Sequence, residues 1–164
     1  MDALKVKNKV HMNEDGYVEP VIVQFTVVKI GQEQYGINIK YIENIVRMQH
    51  ITRVPQVPAY IKGVINLRGE VIPVMSLRLK MGLPEDVETK ASRIIIIKME
   101  QHGNIGLMVD EVKEVVNLEE DQIETVSYGS RDNSESLILG IGKYEGGLIS
   151  LLDLNVTVLD RENV

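Results

Sequence analysis

The chain's 164 residues are 44% hydrophobic and 26% charged, enough apolar content for a buried core and too much for a disordered chain. The formal net charge is −6 and its Lys and Arg residues are scattered, which argues against nucleic acid as the partner, because phosphate recognition needs a basic stripe. With no cysteine there is no disulfide, thiolate metal site or cysteine nucleophile, a composition that fits a reducing cytoplasm.

The apolar residues are mainly Ile, Val and Leu, with 4% aromatics and no Trp, and this bias favours strands. Residues 1–20 are polar and mixed in charge, lack the pattern of a signal peptide, and read as a flexible arm. Val21 to Ile30 reads as a strand, Gly31 to Gln34 as a turn, and Tyr35 to Ile39 as a strand interrupted by Gly36. Ile39, Ile42, Ile45 and Val46 then recur at helical spacing and predict about two turns of amphipathic helix, with a curled strand as the alternative. Val54-Pro55 and Val57-Pro58 force an extended path. A hairpin follows over Gly63 to Leu79, turning at Arg68-Gly69-Glu70. Lys80 to Ser92 reads as a connection. Arg93 to Met99 is a strand, Gln101 to Asn104 a turn, and Ile105 to Val109 a strand containing Gly106. Val109, Val112, Val115 and Val116 repeat the helical spacing. The longest aliphatic run, Ile94 to Ile97, is far too short to cross a bilayer, so no direct membrane insertion is expected.

The order of elements therefore occurs twice. Gly36, Ile39, Ile42, Ile45 and Val46 have counterparts 70 positions later (106 − 36 = 70) in Gly106, Val109, Val112, Val115 and Val116. Gly63, Gly69, Val71 and Leu77 match Gly140, Gly146, Leu148 and Leu154 at an offset of 77 (140 − 63 = 77), the difference fitting an insertion in the Ser-rich stretch Ser127 to Ser136. Each copy holds about five short strands, a size suited to a small barrel. The expected repeats run from about 21 to 80 and from about 93 to 155, within one domain of residues 21–159 and ahead of a tail at 160–164.

Reaction chemistry is hard to place. His11, His50 and His102 are far apart and lack metal-ligand spacing. There is no nucleophile elbow and no phosphate-binding glycine loop. Glu111, Glu114, Glu119, Glu120, Asp121 and Glu124 read as a solvated face on a helix and its exit, not as a converging acid pair. No catalytic, metal or cofactor site is expected, and the chain reads as a non-enzyme. What remains is the hairpin tip Asn66-Leu67-Arg68-Gly69, whose arginine could pair with a partner's carboxylate, and the apolar set Ile42, Ile45, Val112 and Val115, part core and part candidate contact surface.

The stretch from Tyr60 to Val74, YIKGVINLRGEVIPV, closely resembles the signature of the CheW family. Tyr35 to Ile39, Ile105 to Asp110 and Gly146 to Leu154 are similar to the family's other landmarks, and the likeness runs from about Val21 to Leu159. The resemblance implies an all-β fold with short helices: two five-stranded SH3-like barrels packed on a shared core. It implies a cytoplasmic chemotaxis adaptor, recruited to membrane receptor arrays, that binds the regulatory domain of the histidine kinase CheA and the cytoplasmic tip of methyl-accepting chemotaxis receptors. Carried over position by position, it implies receptor contact at Arg68, Asn44, Glu43, Gly106 and Val115, and kinase contact at Ile42, Ile45, Gly63 and Val112. Many members place Glu where this chain has Asn44, with Glu43 one residue earlier. The alternatives are a module for another sensor-kinase pathway and a small enzyme with a cleft between barrels.

Overall fold

In a computed structural model that describes residues 11–12, 14, 16, 18–125 and 137–158, nearly all regular structure is strand. The strands are β1 (His11–Met12), β2 (Val18–Glu19), β3 (Ile22–Ile30), β4 (Glu33–Asn38), β5 (Ile42–Arg47), β6 (Ile61–Leu67), β7 (Glu70–Ser76), β8 (Arg93–Met99), β9 (Gly103–Val109), β10 (Glu111–Glu119), β11 (Ile123–Thr125), β12 (Ile138–Tyr144) and β13 (Gly147–Leu152). Two single-turn helices, α1 (Leu77–Lys80) and α2 (Leu154–Thr157), follow β7 and β13. Ser76 caps the first by accepting from the Leu79 N–H, and Asp153 caps the second by accepting from the Val156 N–H. Within the expected arm, His11 pairs with Glu19 and Met12 with Val18 in a minimal ribbon. The Ser127 to Ser136 insertion and the tail lie outside the described residues.

Two sheets form, ordered β5-β8-β9-β7-β6 and β10-β3-β4-β13-β12-β11. The outer strands of each order follow one another in the chain, so each sheet curls toward closure as an SH3-like barrel. In the five-stranded sheet, Thr52 in the loop after β5 bridges to Val64 of β6 through two backbone hydrogen bonds of 2.8 Å, while β5 itself stays at the edge of the sheet. In the six-stranded sheet, a 3₁₀ turn over Glu120–Gln122 carries β10 into β11.

The sheets are not the sequence copies. The β8–β9 hairpin of the second copy completes the sheet of β5, β6 and β7, while the β3–β4 hairpin of the first copy joins β10 to β13. The repeats expected at 21–80 and 93–155 thus exchange their first hairpins, through parallel pairings of β4 with β13 and of β7 with β9.

Three apolar clusters result. Phe25, Val27, Leu118, Ile149 and Leu151 fill the six-stranded sheet, and Ile65, Ile72, Val74, Ile94 and Ile96 fill the other. A third cluster lies between them, drawing Val28 and Ile37 from one sheet and Ile95, Ile97 and Leu107 from the other. The run Ile94 to Ile97 shows why β8 is continuously aliphatic. Alternate residues serve the barrel interior and the shared core, and burying each contributes about 2 kcal/mol.

The two helices expected from Ile39 and Val109 are strands. Asn38 accepts from the Lys40 N–H to cap a single 3₁₀ turn at Ile39–Tyr41, and Ile42 onward pairs with β8. A bulge between Ile42 and Asn44 adds one residue, so Ile42 and Ile45 face the same side, opposite Ile97 and Ile95. The bulge between Val112 and Glu114 does the same, setting Val112 and Val115 opposite Val28 and Thr26. A bulged strand thus spaces same-face residues by three, as a helix does. The acidic residues expected on a second helix lie instead on β10, the 3₁₀ turn and β11.

Candidate partner-binding surfaces

The residues expected at partner contacts fall on two edge strands, one hairpin tip and two interior glycines. On β5, Ile42 packs against the shared core, while Ile45 is 38% exposed. Glu43 is exposed at the bulge, and half-buried Asn44 accepts from the Ile45 N–H at 2.9 Å, tying its side chain to its own strand. On β10, Val112 packs against the shared core and Val115 is 57% exposed. Each barrel therefore spends one member of the pair on its core and presents the other at an open sheet edge.

Arg68 and Gly69 both have positive φ, 52° and 84°, the geometry of a two-residue turn that twists with its strands. Asn66 secures the turn by accepting from the Gly69 N–H at 3.1 Å, and Asn104 donates to the Glu70 carboxylate beside it. The exposed guanidinium of Arg68 has no ion pair among the described residues, so its fork is open to an incoming carboxylate.

Gly63 and Gly106 are buried and belong to the frame of the fold. Gly63 has φ of 141°, and a Cβ there would lie 2.1 Å from the Thr52 carbonyl oxygen, at the bridge between that loop and β6. A Cβ on Gly106 would lie 2.8 Å from Ile94 Cγ2 inside the barrel. Neither offers a side chain to a partner, so any influence on binding passes through the shape of the sheet.

A polar tie between the sheets was not legible from spacing. Asp110, at the junction of β9 and β10, accepts from Arg78 Nε at 2.9 Å, from Arg78 Nη2 at 2.8 Å, and from the Gly31 N–H at 2.8 Å. Arg78 sits on α1 beside the five-stranded sheet, and Gly31 turns β3 into β4 of the other. Burial pushes the Asp110 carboxyl up, but the Arg78 hydrogen bonds, the Gly31 N–H and the charges of Arg78 and Lys29 together hold it below its ordinary value. The residue types announce a charge pair only once α1 and that junction are known to meet.

A depression of about 900 Å³ runs along the loop from Ile51 to Ala59, lined in part by Val54, Val57, Pro58, Ile61 and Leu79. Its one carboxylate, Glu85, is paired with Lys62, which leaves no second acid for proton transfer. Among the described residues no three His, Asp or Glu side chains converge as a metal site, and no helix is long and apolar enough to cross a membrane.

A family model described as the CheW-like domain matches residues 24–162. The chemotaxis protein CheW of Bacillus subtilis (strain 168) is 39% identical over 137 residues, covering 84% of this chain and 86% of that protein. The protein of the same name from Helicobacter pylori is 37% identical over 133 residues, covering 80% and 78%. The crystal structure of the scaffolding protein TtCheW from Thermoanaerobacter tengcongensis aligns with a TM-score of 0.78 at 31% identity, covering 87% of this chain and 95% of that one.

Proposed function

The chain belongs to the CheW-like domain family, and on that premise we propose that it is a non-enzymatic chemotaxis scaffold that couples receptors to the histidine kinase CheA. It would act in the cytoplasm and reach membrane receptor arrays through its partners. The kinase regulatory domain and the receptor's cytoplasmic tip are its proposed ligands. The observation that carries the reading is the matched pair of open edges: β5 and β10 occupy equivalent places in two barrels, and each leaves one aliphatic side chain, Ile45 or Val115, in solvent. Two interaction edges on a body tied together by Arg78 and Asp110 suit a part that holds two other proteins at a fixed spacing. In this reading the apolar edges supply affinity and Arg68 supplies register.

The test is co-sedimentation of the purified chain with the cognate kinase regulatory domain and with a receptor-tip fragment, each at micromolar concentration. Binding to both is expected, and Arg68→Ala is expected to weaken receptor binding while thermal unfolding is unchanged. Binding to neither partner would end the adaptor reading.

A further inference from the structure

At the open end of β5, Arg47 stands directly opposite Arg93 of β8. Like charges facing each other across neighbouring strands repel, and a sheet normally avoids them. Exposed Lys90 adds a third cation beside the same depression of about 370 Å³, which Thr89, Ser92 and Met48 also line. Among the described residues no carboxylate forms an ion pair with any of the three. Glu88, two residues before Lys90, lines the neighbouring depression instead. Arg93 is held in place, donating at 2.8 Å to the carbonyls of both Lys90 and Ser92. Arg47 is exposed.

The second barrel provides an internal control. Its equivalent cross-strand pair is Asn117 opposite Gln24, neutral and joined by a 2.9 Å hydrogen bond. The architecture therefore does not require charge at this position. Two arginines concentrated there, on a chain of net charge −6, leave a site complementary to an oxyanion. Ile45 lies two residues before Arg47 on the same face of the strand, so apolar surface adjoins the cations.

We propose that the Arg47–Arg93 pair, flanked by Lys90, is a docking point for an acidic segment of a partner protein laid along β5, with a carboxylate between the two guanidinium groups and an aliphatic neighbour on Ile45. The paired forks hold the acid in a bidentate manner, and its charge removes the repulsion between them. The proposal rests on the adaptor reading only in taking β5 as an interaction edge, and a peptide probe tests the cation pair apart from kinase or receptor binding.

The experiment is an NMR titration of the full chain, following the arginine Nε–Hε signals. The probes are an alternating Glu-Val pentapeptide, blocked at both ends, and inorganic phosphate. The peptide is expected to shift the Arg47 and Arg93 signals, with an affinity that falls as salt rises and that drops about tenfold in Arg47→Gln. Arg47→Gln is also expected to leave the melting temperature unchanged or raised, since one of two repelling charges is gone. Lys90→Gln, which touches no strand pairing, is expected to weaken binding in the same direction. Absence of a shift at both arginines would overturn the proposal. So would phosphate shifts equal to those from the peptide, which would mark a free-anion site, or a lower melting temperature in Arg47→Gln with peptide binding intact, which would mark a structural pair.

Discussion

Arg68 occupies a conformation in which an L side chain crowds the following carbonyl, at a cost of about 1 kcal/mol. Asn tolerates that position best among the non-glycine residues, because its short side chain bonds locally. Arg68→Asn is therefore expected to stabilise the chain by about 1 kcal/mol in urea unfolding while losing the charged fork. A gain in stability alongside a loss of receptor binding would show that the arginine is retained for contact. Equal losses in both would mean that it supports the hairpin. The turn itself was legible, because Arg68-Gly69 splits the apolar stretches Gly63 to Leu67 and Val71 to Leu77. The need for glycine at 63 was not, because it comes from the Thr52 carbonyl, contributed by a loop that only the folded barrel brings near.

Between elements, the informative contrast is within β10. Val112 and Val115 share a face across the bulge, yet one lines the shared core and the other stands in water. Val112→Asp is expected to unfold much of the population at 37 °C, since an unpaired charge against that core costs several kcal/mol. Val115→Asp is expected to change the melting temperature little and to abolish one binding activity, read by circular dichroism and co-sedimentation on the same samples. The sequence displayed these valines clearly but assigned them to a helix, because a period of two with one inserted residue imitates a helical stripe. A second contrast concerns α1 and the β9–β10 junction. Asp110 ionises more readily folded than unfolded, so its contribution is full above the ordinary Asp range, near pH 4, and is lost as pH falls through that range and below. Asp110→Asn is expected to cost about 1–3 kcal/mol at pH 7, with the gap to the parent chain narrowing by pH 3 in urea titrations.

For the molecule as a whole, the exchange of hairpins makes the sheets interdependent. Residues 21–92 contain β3 to β7, but β3 and β4 there lack β10 and β13, and β7 lacks β9. That fragment is expected to be unfolded by circular dichroism, and the full chain to melt in one transition with coincident signals from both sheets. Separate transitions would show that each barrel stands by itself. The duplication was readable at offsets of 70 and 77; the structure adds matching bulges just before Gly63 and Gly140, which the spacing did not show. The exchange was not, because a repeat in sequence specifies like units and leaves open which copy supplies each hairpin. Its parallel seam places Tyr35 beside Ser150, 115 positions apart (150 − 35 = 115). During synthesis, then, the β3–β4 hairpin leaves the ribosome long before β13, the strand that covers the open side of β4. Chaperone capture and premature termination are expected to bear most heavily on that interval.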